Sequence, residues 1–267
     1  MSEKIITVFS NSNFESRRTT KYLIGRLREF GYSPVTTFHK DAELIITVGG
    51  DGAFIKTVNR TNFSDIPMIG INTGHLGFYQ EVSPREIDSF LQSYHRGEYE
   101  VEKLHLIGAE IFTRNRNFFM HAVNEVVLKS QSSKVIHMNV FVDRNHLEKF
   151  SGDGMLVTTP TGSTGYNMSL KGPVIFPTIP AYALTPMAPI SSHSYRSLAS
   201  SIVIPGDHVV SLVPEKRYAS SNVILIDGME HNFTGLKKVN LRIADKSVNK
   251  LVVSKQNYWD NVKSRFL

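Results

Sequence analysis

Apolar and polar positions follow two different periods along this chain, and the change falls near residue 100. In the first part, short unbroken apolar runs at Lys4–Phe9 (KIITVF), Leu44–Val48 (LIITV) and Pro67–Ile71 (PMIGI) read as strands. A strand with no polar face is what a parallel sheet covered on both sides requires. Between these runs the apolar spacing becomes helical. Asn13 to Phe30 reads as a helix with Tyr22, Leu23, Leu27 and Phe30 on one face and Gly31 as its stop. A shorter helix starts after Asp51 and turns Phe54, Ile55 and Val58 inward. Ser83 caps a third, with Pro84 in its first turn and Glu86 at the capping-box spacing. Strands alternating with helices predict a twisted, mostly parallel sheet: a Rossmann-like α/β domain over residues 1–100.

Beyond Val101 the runs shorten and become β-branched: LIGAEIF, FFMHAVNEVVL, KVIHMNVFVD, HVVSLVP, NVILID, KVNLRIA and KLVVS, separated by turn residues. They predict a β-rich, β-sandwich-like domain over 101–250. In the closing stretch, 251–267, Tyr258, Val262 and Phe266 recur every four residues, the mark of a terminal helix that docks back on the first domain. Repeats, low-complexity tracts and long linkers are absent, so the parts are expected to be rigidly joined.

Composition narrows the classes. With 267 residues, 41% apolar and 20% charged, the chain fits one large folded domain or two sharing a core. It has no cysteine, which removes disulfides and thiolate zinc sites and fits a cytoplasmic protein. The opening run IITVF is too short for a signal segment or membrane span, so no membrane attachment is expected. The net charge of +6 is spread along the chain without a run of five basic residues, which favours small polyanions over nucleic acid as partners.

Four stretches could carry chemistry. LIITVGGDGAF places Gly49, Gly50, Asp51 and Gly52 between a strand end and a helix start, where bare N–H groups and the helix dipole favour phosphate. Asp51 has two readings, N-cap of the helix or catalytic base. NTGHLGF, Asn72–Phe78, puts a second glycine loop after the next strand, and both loops would face one crevice at the carboxyl ends of the strands. In VNEVVL, period-2 alternation places Glu125 on an exposed face, since a buried glutamate is costly. Finally SGDGMLVTTPTGSTGYNMSLKGP, Ser151–Pro173, gathers five glycines, several hydroxyls and a tyrosine, suited to ribose, phosphate and base, and reads as a long functional loop. Walker A, G-x-G-x-x-G, H-E-x-x-H and G-x-S-x-G motifs are all missing, and the ten histidines show no metal-ligand spacing. Phosphoryl transfer by positioning, with a carboxylate base, is the chemistry that remains.

VGGDG, NTGHLGF, NE and SGDGMLVTTPTGSTGYN in this order resemble the NAD kinase family, bacterial members included, over nearly the whole chain. GGDG alone is shared with phosphofructokinases and diacylglycerol-type lipid kinases; the TGSTGYN stretch after GDGM, with NE upstream, is the specific part. The resemblance implies transfer of the ATP γ-phosphoryl group to the 2′-hydroxyl of the adenosine ribose of NAD, giving NADP, with Mg²⁺ arriving on the nucleotide and no protein metal site. Asp51 matches the catalytic aspartate, and Gly49, Gly50 and Gly52 match the donor-phosphate loop. Asn124 and Glu125 match residues that hold adenosine and ribose hydroxyls. Phe78, in the loop opened by Asn72, matches a neighbour of the adenine. Asp153, Thr161, Thr164, Tyr166 and Ser169 match positions around the dinucleotide, and Ala188 and Asp227 more distant pocket positions. The family forms dimers or tetramers in which a neighbouring subunit completes the pocket.

Three positions depart from the pattern: Ala53 stands where threonine is usual, Ser151 where several relatives carry arginine, and Gly165 where alanine is commoner. Polyphosphate stays open as donor. The rival readings are another GGDG-type kinase acting on a lipid or sugar phosphate, and a non-catalytic dinucleotide-binding regulator.

Overall fold

The computed structural model describes residues 4–74, 77–131, 134–191, 196–215, 222–253 and 258–266. They divide into two compact units, Met1–Leu104 with Ser247–Leu267, and His105–Lys246.

The first unit contains β1 (Ile5–Ser10), α1 (Phe14–Glu29), β2 (Ser33–Val35), β3 (Leu44–Gly49), α2 (Asp51–Arg60), β4 (Met68–Asn72), β5 (Gln80–Val82) and α3 (Ile87–His95). The strands run parallel in the order β2-β1-β3-β4, and β5 adds to β4. Every residue of β3 is buried, as a doubly covered strand demands. Ile46 and Val48 share a core with Leu23 and Leu27 of α1 and Phe90 and Leu91 of α3. On the opposite face of β3, Thr47 donates to Thr57 of α2 at 2.9 Å.

The helix ends follow from local chemistry. Asn13 accepts the Ser16 N–H at 2.7 Å and starts α1. At the other end Gly31, with φ +82°, donates to Arg28 O, and Tyr32 donates to Leu27 O, both at 3.0 Å. That pair of bonds satisfies the carbonyls α1 would otherwise leave open. The capping box at Ser83 and Glu86 is formed, over one 3₁₀ turn that leads into α3. Tyr22, expected inward, is 48% exposed and donates to Asp88 at 2.8 Å. The buried stripe is Ser16, Thr19, Thr20, Leu23 and Leu27, and Tyr22 lies about 100° around the helix from Leu23. Small hydroxyl residues, not the aromatic, fill the inner face near the start of α1.

Among the described residues, the second unit is built of strands, most of them in antiparallel pairs, with one short α-helix. Its strands are β6 (Glu100–Thr113, entering from the first unit), β7 (Asn117–Ala122), β8 (Glu125–Ser130), β9 (Ile136–Val142), β10 (Asn145–Gly152), β11 (Gly154–Thr158), β12 (Ala181–Met187), β13 (Ile202–Pro205), β14 (Val210–Pro214), β15 (Asn222–Ile226), β16 (Met229–His231) and β17 (Leu236–Val252). The helix is α4 (Tyr166–Ser169), reached through a 3₁₀ turn over Thr161–Thr164. One layer is ordered β10-β9-β14-β17, with β6 on β17 and β7 on β6; the other is β13-β12-β11-β8-β15-β16. Their inner faces share one core that includes Met138, Val140, Phe150 and Leu241 from the first layer and Val126, Leu128, Met155, Val157 and Tyr182 from the second. This is the expected sandwich. The segment read as a long loop from Ser151 is mostly regular: β11 is buried throughout, followed by the 3₁₀ turn and α4. FFMHAVNEVVL, read as one run, is two strands broken at Val123 and Asn124. KVNLRIA and KLVVS are one long strand.

The last residues of β17 belong to the first unit, where Lys250 pairs with Met68 of β4. After it α5 (Tyr258–Phe266) sets Tyr258 and Phe266 against the ring of Phe78, at centroid distances of 6.0 and 6.1 Å. Among the described residues no helix is long and apolar enough to cross a membrane.

Ile46 is fully buried at the centre of the parallel sheet. Ile46→Ala is expected to lower stability by about 2–5 kcal/mol in urea unfolding, through lost transfer energy and the cavity left behind. A loss under about 1 kcal/mol would show that α1 collapses onto the vacated space.

Candidate active site

The order β2-β1-β3-β4 places a topological switch between β1 and β3: the chain leaves β1 for α1 on one face and leaves β3 for α2 on the other. The two exits diverge and leave a cleft of about 310 Å³. It is lined by Phe9, Ser10 and Asn11 after β1, and by Gly50, Gly52, Ala53, Lys56 and Arg60 after β3. A Cβ on Gly50 or Gly52 would meet no atom within 4 Å, so bare backbone faces the cleft at both. Gly49 differs, since a Cβ there would come within 2.6 Å of Ala53 Cβ. Lys56 and Arg60, one helical turn apart, make the wall basic, and Arg60 lies over the Phe9 ring at 4.6 Å. The arrangement suits a phosphate chain. The motif reading missed both cations, though their i, i+4 spacing after GGDG was visible.

Asp51 is neither exposed nor a cap. Gly50 is the N-cap of α2, and Asp51 is the first residue of the helix. The cap reading is corrected, because the Asp51 carboxylate reaches to the loop after β4 instead. Oδ2 accepts the Phe78 N–H and Oδ1 the Tyr79 N–H, each at 3.0 Å. Gly77 is required by this contact, since a Cβ there would come to 2.1 Å from Asp51 Oδ1. The Tyr79 ring stacks on Phe54 of α2 at 5.0 Å, fixing the loop a second time. GGDG and NTGHLGF thus sit on adjacent strands, with Gly49 opposite Asn72. Thr73 bonds Gly49 O at 3.2 Å, and Asn72 Oδ1 accepts the Gly74 N–H at 3.0 Å. His75 and Leu76 lie outside the described residues.

In the second unit the break between β7 and β8 is organised by Asp227. Asp227-Gly228 is the two-residue turn between β15 and β16, with both residues at positive φ, the backbone an Asp-Gly hairpin turn needs. From there the carboxylate accepts the N–H groups of Val123 at 2.9 Å, Asn124 at 2.6 Å and Glu125 at 3.4 Å. The carbonyls of the same turn are taken by Thr158 and Thr159: Oγ1 of Thr158 and N of Thr159 donate to Asn124 O, and Oγ1 of Thr159 to Val123 O. Gly162 packs so closely that a Cβ would lie 2.3 Å from Asn124 O. These contacts hold Asn124 and Glu125 rigidly. The Asp-Gly pair and the Thr-Thr pair were legible signals of turn and cap that motif reading passed over.

Glu125 is 7% exposed, which overturns its reading as an outward residue. The break at Val123 and Asn124 resets the inside–outside alternation, so extrapolating it from β7 fails. Burial, and next the Asp227 charge, push its carboxyl up to about 7. A Cβ on Gly165 would lie 3.9 Å from Glu125 Oε2, an ordinary contact. The tighter neighbour is Gly162 O, which the same Cβ would approach to 3.2 Å, so glycine spares the turn a close backbone contact. Thr161 and Thr164 lie in the 3₁₀ turn beside this cluster, Thr161 Oγ1 at 3.1 Å from Thr159 Oγ1 and Thr164 Oγ1 donating to Thr161 O. Tyr166 is 40% exposed, and Gly165 and Ser169 are exposed as well. Asp153 is exposed in the turn between β10 and β11, its N–H held by Met187 O at 2.9 Å, and exposed Ala188 has φ +42°. Ser151 is buried, with Oγ 2.7 Å from His137 Nδ1 and its N–H on Ser197 Oγ.

An α/β unit with a basic switch-point cleft, joined in one chain to a β-sandwich carrying a buried glutamate, is an arrangement that suits a phosphotransferase. The profile of the ATP-NAD kinase N-terminal domain matches residues 8–99, and that of the ATP-NAD kinase C-terminal domain matches 123–254. A NAD kinase of Finegoldia magna is 39% identical over 268 residues, covering 99% of this chain and 98% of its own length. One of Streptococcus mutans is 31% identical over 98% of this chain and 94% of its own. Among solved structures, a yeast NADH kinase complexed with NADH superposes with TM-score 0.84 at 18% identity, over 100% of this chain and 88% of its own. A NAD kinase from Archaeoglobus fulgidus in complex with ATP gives 0.76 at 21%, over 97% of each chain. The chain belongs to the NAD kinase family.

The raised Glu125 carboxyl fixes a pH dependence. Between about pH 4.5 and 7 the folded state keeps a proton that the unfolded chain has released, so stability falls across that window and levels off above it. Glu125→Gln holds no such proton. It is expected to match wild-type stability at pH 4.5 and to exceed it at pH 8 by on the order of 3 kcal/mol. Thermal melts across this range check it; a gap that does not widen with pH would mean that Glu125 ionises at its ordinary value.

Proposed function

We propose that the chain transfers the γ-phosphoryl group of ATP to the 2′-hydroxyl of the adenosine ribose of NAD, with Asp51 as the group that orients the hydroxyl and takes its proton. The observation that carries this is the switch-point cleft: bare Gly50 and Gly52, flanked by Lys56 and Arg60, directly after the strand that delivers Asp51. The donor phosphates lie against these amides and cations. Asn124 and Glu125 take the adenosine and ribose hydroxyls, Phe78 stands by the adenine, and Tyr166, Thr161, Thr164, Ser169 and Asp153 line the dinucleotide. Mg²⁺ would arrive on the nucleotide, whose phosphate oxygens are among its preferred partners. When bound it neutralises charge on the triphosphate.

Alignment supplies most of the rate, because a ribose hydroxyl is a poor nucleophile and the phosphoryl group must meet it in line. Proton removal by a carboxylate adds roughly two to four orders of magnitude. ATP is the donor on this reading, with polyphosphate a second candidate for the same basic wall. We place the enzyme in the cytoplasm as a homodimer or homotetramer. Exposed Asp153, Ala188 and Tyr166 are available for a pocket completed by a second subunit.

One observation favours the regulator reading: both Asp51 oxygens already accept backbone N–H groups. The deciding assay incubates the protein with ATP, Mg²⁺ and NAD and detects NADP with an NADP-specific dehydrogenase. NADP is expected from the wild type. Asp51→Asn should lose at least about a hundredfold in turnover while retaining NAD binding. Saturable NAD binding without NADP from the wild type would establish the regulator, and no NAD binding would end both readings.

Glu125→Ala should weaken NAD about tenfold or more, the cost of leaving buried ribose hydroxyls without their hydrogen-bond partner, and leave ATP binding within about twofold. Equal losses for both nucleotides would remove Glu125 from the acceptor site.

A further inference from the structure

We propose that Lys250 is a positioning residue for Asp51, acting through the peptide group of Phe78. This rests on the role given to Asp51 above. The Phe78 peptide is held from both sides. Its N–H donates to Asp51 Oδ2 at 3.0 Å, and its carbonyl accepts from Lys250 Nζ at 3.3 Å. Lys250 is also ion-paired with Oε1 of Glu81, in β5 just after the loop, and both side chains are 9% exposed.

A buried ammonium needs a matched charge and its remaining protons need acceptors. Glu81 supplies the first, and the Phe78 carbonyl is one of the second. The geometry leaves little slack. Gly77 packs so tightly on Asp51 Oδ1 that a Cβ would come to 2.1 Å, so a shift of the loop moves the carboxylate. Lys250 is itself fixed by pairing with Met68 in β4, and the neighbouring Asn249 donates to Asp65 O at 2.7 Å. The same returning segment grips the Phe78 ring through Tyr258 and Phe266. The chain's C-terminal return therefore sets the position of residue 78, and residue 78 sets one oxygen of Asp51.

Removing Lys250 alone would strand a buried carboxylate whose Oε2 has no hydrogen-bond partner among the described residues. The informative variant is therefore Lys250→Met/Glu81→Met, which removes both charges. It is compared with wild type and Lys250→Arg for melting temperature, for kcat and both KM values, and for amide hydrogen exchange at Phe78 and Tyr79. The double variant should melt within a few degrees of wild type. Its kcat should fall about ten- to hundredfold, the scale of a misplaced catalytic group, with KM for NAD and ATP within about threefold. Its Phe78 and Tyr79 amides should exchange about tenfold faster or more, while those of β3 are unchanged. Lys250→Arg, which keeps charge and donors, should restore most of kcat.

A folded double variant with wild-type kcat and unchanged exchange overturns the proposal, as does a loss confined to KM. If the double variant does not fold, Lys250→Gln carries the test: it removes the charged donor to the Phe78 carbonyl and leaves an amide beside Glu81, and faster exchange at Phe78 and Tyr79 is again expected, with unchanged exchange overturning the proposal. The exchange measurement is independent of turnover. Failure of the wild type to make NADP would refute the reaction, whereas unchanged exchange would refute the role of Lys250.

Discussion

The carboxylate of Asp51 accepts two backbone N–H groups, and the architecture of the first unit's ligand-facing edge depends on that acceptance. The donors belong to the loop after β4, the acceptor to the loop after β3, and 27 and 28 residues separate them. The two bonds draw the backbone of Phe78 and Tyr79 to the start of α2. With them, Gly77 becomes obligatory, the Tyr79 ring finds Phe54, and Phe78 presents its ring to Tyr258 and Phe266. The two glycine-rich motifs are one physical object, tied at its centre by a side chain.

Such a tie is compatible with catalysis. A carboxylate offers about four acceptor directions, and backbone amides take part of that capacity. They also fix the plane of the group, which a general base requires before its proton affinity matters. In the second unit the same labour is divided between two acids. Asp227 organises backbone, accepting three N–H groups from residues 123–125 at a turn where its own φ is positive. Glu125, held in place by that turn, is buried and pushed toward neutrality at pH 7. One acid builds the site and the other is left with a protonation state that a ligand can shift.

Much of this was legible in the chain. Buried runs at β1, β3 and β4, the Gly31 stop and the capping box at Ser83 are local signals, and each formed; Asn13, read as the first residue of α1, is its N-cap. What failed needed information from elsewhere in the chain. Tyr22 was placed inward by its spacing with Leu23, Leu27 and Phe30, yet the buried face continues through Ser16, Thr19 and Thr20. Glu125 was placed outward because alternation was carried across a break that only Asp227, about a hundred residues away, creates. Asp51 was read as a cap or a base. Its tie to the loop after β4 depends on the register of two strands, which no local pattern states.

The departures from the family pattern can be weighed in the same terms. At Gly165 an alanine Cβ would come to 3.2 Å from Gly162 O as well as 3.9 Å from Glu125 Oε2, so glycine here relieves a close backbone contact in the turn. Ser151 is buried and bonded to His137, so its position serves the interior of β10 and not a charged surface. Ala53 matters more, because it lines the cleft and its Cβ is the atom that forces glycine at Gly49. A threonine would keep that Cβ and bring a hydroxyl to the wall; alanine leaves the wall to backbone amides, Lys56 and Arg60. A phosphate chain is then recognised by charge and bare N–H groups more than by a directed hydroxyl. Of the two cations, Arg60 offers a planar fork and Lys56 a point charge, so the wall combines directed and undirected recognition of an anion.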